Sequence, residues 1–181
     1  MASSITISLA DLATSTPLKS LQALHNILSK ASSHPDSASF PSARLYPDML
    51  PLTYQIYMVC KFAKVVTSFE NQKTWSSSDE WSNLTLPELI AQVEGTQQIV
   101  GAAQQQKEKI AGGPHAIGHG PDRPSFTYDG EGLVLNFCYP NMYFHLSIAY
   151  AILRIKGVEV GKWDYLEPFS GSYIDRPKDK Q

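Results

Sequence analysis

The sequence of 181 residues has little cysteine, no basic cluster and no long hydrophobic run. Its two cysteines, Cys60 and Cys138, lie inside apolar segments without CxxC spacing, which favours buried, reduced thiols over a disulfide or a nucleophile. The 15 Lys and Arg are scattered and the formal net charge is -2, so nucleic acid is not an expected partner. No apolar run has bilayer-spanning length and the N-terminus lacks a secretory pattern, so we expect a cytoplasmic protein without a membrane partner.

The chain length and the hydrophobic content of 43% fit one domain with a proper core. We therefore predict a single domain over residues 1–181, with 170–181 as a flexible tail.

Four stretches have apolar residues at helical spacing. The first helix is expected from Pro17 to Ser32, because Thr16 is a suitable cap and proline is tolerated in a first turn. The second should begin near Pro51, after a tight PDMLP turn, and run to about Phe69. The third should begin after Thr85 and reach about Lys109, with an apolar stripe. That stripe comprises Leu86, Leu89, Ile90, Val93, Ile99 and Val100.

The fourth helix is expected from Asn141 to Lys156, with Gly157 as its stop. Before it, residues 126–128 and 133–136 flank the sequence DGEG, which is typical of a hairpin. The Gly- and Pro-rich stretch 110–123 predicts no regular element. It carries His115 and His119 at the spacing of a metal pair, but that spacing needs a helix to bring them together.

These elements predict a mainly α fold, a four-helix bundle with a small β-hairpin between helices 3 and 4. The loop before the third helix is expected to be pinned by Trp75 and Trp81. After Gly157, an extended tail should fold back over the body through Trp163, Tyr165 and Phe169.

The fourth helix places two polar residues, Asn141 and His145, on its apolar stripe with Ile148, Ala149 and Ile152. A buried imidazole costs free energy unless it is paired, and it is also the side chain best suited to exchange a proton near neutral pH. We therefore regard His145 as the leading functional candidate.

Two other helices carry polar residues that can meet His145. In the second, Asp48 and Gln55 fall on one stripe, although Asp48 is equally well explained as a helix-start residue. In the first, His25 lies in the apolar seam, where a half-exposed structural histidine is the more usual finding.

Two segments resemble the signatures of a branch of the DinB-like four-helix-bundle superfamily. They are RLYPDMLPLTYQ, from Arg44 to Gln55, and PNMYFHLSIAYAILRIKGVEVGKWDYL, from Pro140 to Leu166. The resemblance extends weakly to SLQALHNILSKA in the first helix. It implies the bundle fold over most of the chain.

The resemblance also implies a function. Fungal members of this branch are associated with aromatic polyketide pathways, and some are described as isomerases of reduced xanthone intermediates that lead to tetrahydroxanthones. Many members of the superfamily bind a metal through three histidines, one in the second helix and an HxxxH pair in the fourth. Here the residues four positions from His145 are Asn141 and Ala149, and the second helix has no histidine. We therefore expect neither a metal nor another cofactor.

Moving a double bond beside a carbonyl requires a base and an acid, each contributing roughly 10²–10⁴-fold when positioned. In this hypothesis His145 moves the proton, Asp48 orients it or acts as a second acid-base group, and His25 completes the relay. Asn141 and Gln55 hold the substrate and stabilise enolate charge. The second-rank candidates at the mouth of the pocket are Tyr143, Tyr54, Arg44 and Met49.

Three alternatives remain open. The polar residues can form a purely structural network. The protein can be a metal-dependent enzyme that uses His25, Asp48 and His145, or a non-catalytic carrier of a hydrophobic ligand. Bundles with spare apolar loops also often form homodimers.

Overall fold

The computed structural model describes residues 8–68, 78–106, 115–117 and 126–170, and these form a mainly α-helical bundle. Its helices are α1 (Leu9–Ser32), α2 (Leu52–Ser68), α3 (Leu86–Gln104), α4 (Tyr139–Ile155) and α5 (Lys162–Ser170). Two strands, β1 (His115–Ile117) and β2 (Phe126–Tyr128), pair between α3 and α4. The predicted fold class, a four-helix bundle with a small hairpin between its third and fourth helices, is confirmed.

Helix α1 begins at Leu9, eight residues before the predicted start at Pro17. Ser8 is its cap, with a side chain that accepts a hydrogen bond from the backbone N–H of Asp11 at 3.1 Å. Pro17 lies buried inside the helix instead of in the first turn. The prediction was wrong because Thr16 and Pro17 match a helix start locally, whereas packing of both halves of α1 against the bundle outweighs the loss of one backbone donor.

The starts of α2 and α3 agree with the predictions. The first two amides of α2, those of Leu52 and Thr53, donate to the carbonyls of Ala43 and Pro41 at 2.8 and 3.1 Å. At α3, the Glu88 carboxylate accepts from the backbone N–H of Thr85 at 2.8 Å, which forms the expected capping box. Both starts were predictable because they depend on local sequence.

The apolar stripe of α3 differs from the prediction at one position. Ile99 is 53% exposed, and Thr96, one turn after Gln92, is buried in its place. The Thr96 hydroxyl donates to the Gln92 carbonyl at 2.8 Å, so its burial leaves no unsatisfied donor. The predicted end at Lys109 and the predicted Trp75 contact lie outside the described residues, whereas Trp81 is buried as expected.

The hairpin has a different partner from the predicted one. Strand β2 pairs antiparallel with β1, with His115 opposite Tyr128, so part of the Gly- and Pro-rich stretch is a strand after all. The DGEG sequence is not a turn: Asp129 caps a helical segment by accepting from the backbone N–H of Gly132 at 2.6 Å. An aspartate before glycine suits a hairpin turn and a helix cap equally, and the local pattern did not distinguish them.

That helical segment, residues 130–138, leads directly into α4 and includes a π-helical stretch, Leu133–Cys138. We call it the lead-in segment. It buries Val134 and Cys138 in the core, so the fourth bundle helix effectively begins before Pro140. At the other end, Gly157 has a φ of 86° and stops α4, as predicted.

The segment after Gly157 becomes helical at Lys162, where an extended tail was predicted. Helix α5 packs against α1, and the Lys30 ammonium lies 2.7 Å from the Asp164 carboxylate. Tyr165 and Phe169 pack against the core, whereas Trp163 is half exposed. Of the predicted flexible tail, 170–181, Ser170 is the last residue of α5, and residues 171–181 lie outside the described ranges.

The bundle core forms where α1 packs against α3 and α2, and α2 packs against α4. A single continuous cluster of buried side chains runs through all four helices. The α2–α4 interface contains the buried polar pair described next. The largest fully buried side chains include Leu21, Leu24, Ile27, Leu52, Ile56, Leu89, Met142 and Leu146.

Candidate functional site

The candidate site is centred on His145, which points into the interface between α4 and α2 as the sequence predicts. Only 9% of the residue is exposed. Its Nδ1 lies 2.7 Å from Oε1 of Gln55, and Nε2 of Gln55 donates to the Leu50 carbonyl at 2.9 Å. The imidazole is therefore held by an amide that is itself anchored at the entry of α2.

This chain of hydrogen bonds determines which ring nitrogen carries the proton. The amide nitrogen of Gln55 faces a carbonyl and must donate to it, so the amide oxygen faces His145 and must accept. Nδ1 of the neutral ring is consequently the N–H donor. Nε2 is left with a free lone pair, and among the described residues no polar group hydrogen-bonds to it.

Aromatic rings surround the imidazole on several sides. Phe62 stacks on it at a centroid distance of 6.2 Å, and Tyr54 and Phe144 meet it edge-on at 5.9 and 5.2 Å. Phe144 is 55% exposed and Leu50 is 47% exposed. The site thus combines one buried polar ring with apolar side chains that reach the surface.

The electrostatic environment keeps the imidazole neutral. Burial and, to a lesser extent, the nearby positive charge of Lys61 together lower the pKa of His145 to about 4. Lys61 is half buried, and desolvation lowers its own pKa as well. At neutral pH, His145 is therefore a proton acceptor at Nε2 and not a cation.

Asp48 has a different position from the predicted one. Because α2 begins at Leu52, Asp48 lies in the preceding loop and is exposed instead of occupying the helical stripe. The residue that orients the imidazole is Gln55, so that part of the prediction was wrong. Asp48 as a second acid-base group stays a prediction. Beside it, the Arg44 guanidinium donates to the Met49 carbonyl and braces the loop.

Gln55 and Asn141 use their amides within the protein. The sequence predicts that Gln55 holds the substrate, but both ends of its side chain are engaged by His145 and Leu50. Asn141 donates from Nδ2 to the Phe137 carbonyl at 2.7 Å, so one of its two N–H donors stabilises the lead-in segment.

Tyr143 lies away from the imidazole, contrary to its predicted place at the pocket mouth. It precedes His145 by two positions, which turns it to another face of α4. There its ring meets Tyr139 and Phe169 at 5.9 and 6.2 Å. Tyr54, by contrast, does contact the candidate site.

His25 does not share the polar pair of His145. Its Nε2 lies 3.1 Å from the Glu94 carboxylate of α3, and its side chain is 27% exposed. It lines a groove of about 480 Å³ between α1 and α5, together with Trp163 and Asp164. The predicted relay from His25 to His145 therefore gains no support from the contacts that each ring makes.

Sequence reasoning missed three residues around the imidazole. Phe62 and Phe144 supply aromatic faces, and Lys61 supplies the charge. A lysine within the apolar run IYMVCKFAKVV was the available signal for the last of these. The aromatic residues gave no signal, because a phenylalanine beside a core position is ordinary in any helix.

Both cysteines are buried free thiols, as predicted. Burial raises the pKa of Cys60 to about 11 and that of Cys138 to about 12. Neither thiol forms the thiolate that nucleophilic chemistry needs.

A comparison with known families identifies the chain. The family model described as "Domain of unknown function (DUF1993)" matches residues 9–166. The chain belongs to this family. None of the curated proteins searched matches this DUF1993 member.

Among solved structures, the DUF1993 chain is similar to a DinB family member protein from Shewanella denitrificans. The TM-score is 0.63 at 27% sequence identity, and the match covers 87% of this chain and 91% of the other. The family match and this structural match together show that the chain belongs to the DinB-like helical superfamily. In the described part of the chain, no helix is long and apolar enough to cross a bilayer.

The three-histidine metal site that the resemblance implies does not fit the residues present. Within the described ranges, no group of three or more His, Cys, Asp or Glu side chains is placed to hold a metal ion. The ring of His145 is flanked by an amide and aromatic side chains, which are poor metal ligands. No metal-dependent step follows from this donor set.

Proposed function

We propose that this DUF1993 protein is a cofactor-free isomerase that moves a proton on a reduced xanthone-type aromatic polyketide intermediate. The supporting observation is the His145–Gln55 hydrogen bond of 2.7 Å, which leaves Nε2 as a buried proton acceptor. The aromatic substrate class is supported by the motif resemblance and by the exposed Phe144 beside the ring. A homodimer in the cytoplasm remains part of the proposal.

In the proposed reaction, Nε2 removes the proton of an enolic hydroxyl. The O–H bond breaks and its electron pair forms the C=O bond of the product, while the π electrons of the enol form a new C–H bond with the proton that the imidazolium returns. Electrons are only redistributed within the substrate, so no oxidant or reductant is consumed. A base with a pKa of about 4 is weak, and it therefore suits an acidic enol that is conjugated with a carbonyl.

The positive charge of Lys61 favours this pathway. The same field that lowers the pKa of His145 stabilises a negatively charged enolate bound beside the ring. Protonated His145 is a stronger acid than an ordinary imidazolium, so it returns the proton readily.

The experiment is turnover of a dihydroxanthone by substoichiometric protein, followed by NMR in D₂O. We expect an isomerised product that carries deuterium at the carbon that receives the proton. His145→Gln should stop the conversion. His34→Gln is the matched control, because His34 contacts Phe40 in the loop after α1.

Two results would contradict the proposal. One is the return of unaltered substrate with no deuterium exchange, which would indicate a carrier protein. The other is equal turnover by wild type and a folded His145→Gln variant.

A further inference from the structure

The lone pair on Nε2 of His145 imposes a requirement on any ligand that approaches it. An acceptor with no proton attracts a hydroxyl group, which can donate, and repels a carbonyl or ether oxygen, which cannot. Gln55 and Leu50 fix this polarity, since their hydrogen bonds hold the proton on Nδ1. The site is therefore able to distinguish two forms of the same molecule that differ only in the position of a proton.

The surroundings of the ring sharpen this requirement. Phe62, Tyr54 and Phe144 supply faces and edges with centroids 5.2–6.2 Å from the imidazole, which suits a flat ring system. Nε2 is thus the polar contact that orients a ligand among aromatic walls.

The charge of Lys61 acts in the same direction. It is close enough to His145 to depress the pKa of the imidazole, and its own pKa is lowered by desolvation. By disfavouring protonation of the ring, this charge keeps Nε2 a hydrogen-bond acceptor. A ligand hydroxyl that donates to Nε2 should therefore keep its proton, because an ionised oxygen would lose the hydrogen bond and face the lone pair of Nε2.

We infer that the site recognises its ligand through a phenolic or enolic hydroxyl donated to Nε2 of His145, and that it selects the enol form over the keto form. Gln55 is the positioning residue that makes this selection, because it fixes the tautomer without touching the ligand. The inference names the substrate class of the isomerase proposed above and rests on that proposal only for the chemistry that follows binding.

The test compares two probes that differ by one methyl group, 3-hydroxyxanthone and 3-methoxyxanthone, by fluorescence titration with the purified protein. We expect the hydroxy compound to bind at least about tenfold tighter, since the ether places an acceptor opposite an acceptor. His145→Phe keeps an aromatic ring but has no acceptor, so it should reduce the difference to less than about twofold. Equal binding of the two probes by wild type would overturn the inference, as would discrimination that survives in His145→Phe.

A second measurement keeps the test valid if His145→Phe does not fold. The absorption spectrum of bound 3-hydroxyxanthone reports its ionisation, and we expect the pKa of the bound hydroxyl to rise relative to that in water, because an ionised oxygen cannot donate to Nε2. Lys61→Met should raise this pKa further, since it removes a positive charge that favours the ionised form, whereas Lys64→Met on the same helix should leave it unchanged. A bound hydroxyl with an unchanged or lowered pKa in wild type would overturn the inference.

The role of Gln55 is tested by the ¹⁵N chemical shifts of the His145 ring. Wild type should show a protonated Nδ1 and an unprotonated Nε2, and Gln55→Leu should mix the two tautomers and weaken 3-hydroxyxanthone binding. A protonated Nε2 in wild type would overturn the assignment.

The two proposals can fail separately. If both probes behave as expected but no dihydroxanthone is converted, the inference stands and the isomerase proposal fails. If dihydroxanthone is converted but the two probes bind with equal affinity, the isomerase proposal stands and the inference fails.

Discussion

His145 and His25 are the same side chain in opposite environments within one bundle. His145 is 9% exposed and bonds to the neutral amide of Gln55, whereas His25 has a 27% exposed side chain and lies beside the Glu94 carboxylate. A neutral partner fixes a tautomer, and a charged partner at the surface forms an ion pair when the ring is protonated. The comparison shows that the partner and the burial, and not the residue type, decide what a histidine can do.

The largest expected effect separates the two histidines by activity. His145→Gln should lower the rate of dihydroxanthone isomerisation roughly 10²–10⁴-fold, because it removes the proton acceptor. His25→Gln should change the rate less than about threefold, because His25 interacts with α3 and not with Gln55. Rate constants for both folded variants check this. A large loss in His25→Gln would restore the relay that the sequence predicts.

The next effect concerns stability in mild acid. The pKa of His145 in the folded state is about 4, below its ordinary value of about 6.5 in the unfolded chain. As the pH falls from about 6.5 to 4, the unfolded chain binds a proton that the folded protein does not. Wild type should lose about 2–3 kcal/mol of unfolding free energy over this range that His145→Gln does not lose. Urea titrations at pH 7 and pH 4.5 measure it, and identical losses in both proteins would contradict the buried, neutral ring.

Removal of the amide that holds the buried ring should have a comparable or smaller effect. Gln55→Leu leaves Nδ1–H of His145 and the Leu50 carbonyl without their partner, which should cost about 1–3 kcal/mol. The matched control is Gln22→Leu, because Gln22 contacts Asn26 on the exposed side of α1. Thermal unfolding of both variants is the measurement, and equal midpoints would show that the buried pair is not a structural bond.

The smallest effect is expected at the surface pair. Glu94→Gln should change the unfolding free energy by less than about 1 kcal/mol, because the Glu94 side chain is 52% exposed and solvent screens its charge. A loss as large as that of Gln55→Leu in the same urea titration would mean that the two histidines are not energetically different.

Local signals in the sequence were enough for much of the fold. Thr85 and Glu88 predicted the start of α3, and Gly157 predicted the end of α4, because each depends on neighbours within a few residues. The predictions from Pro17 and from the DGEG sequence were wrong for the same reason. Pro17 fits a helix start or a helix interior, and DGEG fits a hairpin turn or a helix cap. Only packing against distant helices decides between the two structures in each case. Helix α5 was missed because the surface on which it packs belongs to α1, more than a hundred residues earlier in the chain.

The candidate site was predictable only in part. The position of His145 on an apolar stripe predicted its burial, which the structure confirms. Its partner was misassigned, since the predicted start near Pro51 already leaves Asp48 outside α2 and only Gln55 lies within the helix that reaches the ring. Lys61 lowers the pKa of His145 across the gap between two helices, and the distance between these two residues cannot be predicted from the sequence.

The most direct test of the central claim is an NMR titration of the His145 ring, followed through its carbon-bound protons from pH 8 to pH 3. The account predicts that the ring stays neutral through physiological pH and titrates with a pKa near 4, because it is buried, bonded to Gln55 and close to Lys61. A midpoint near 6.5 would contradict it, since that value belongs to an imidazole in water.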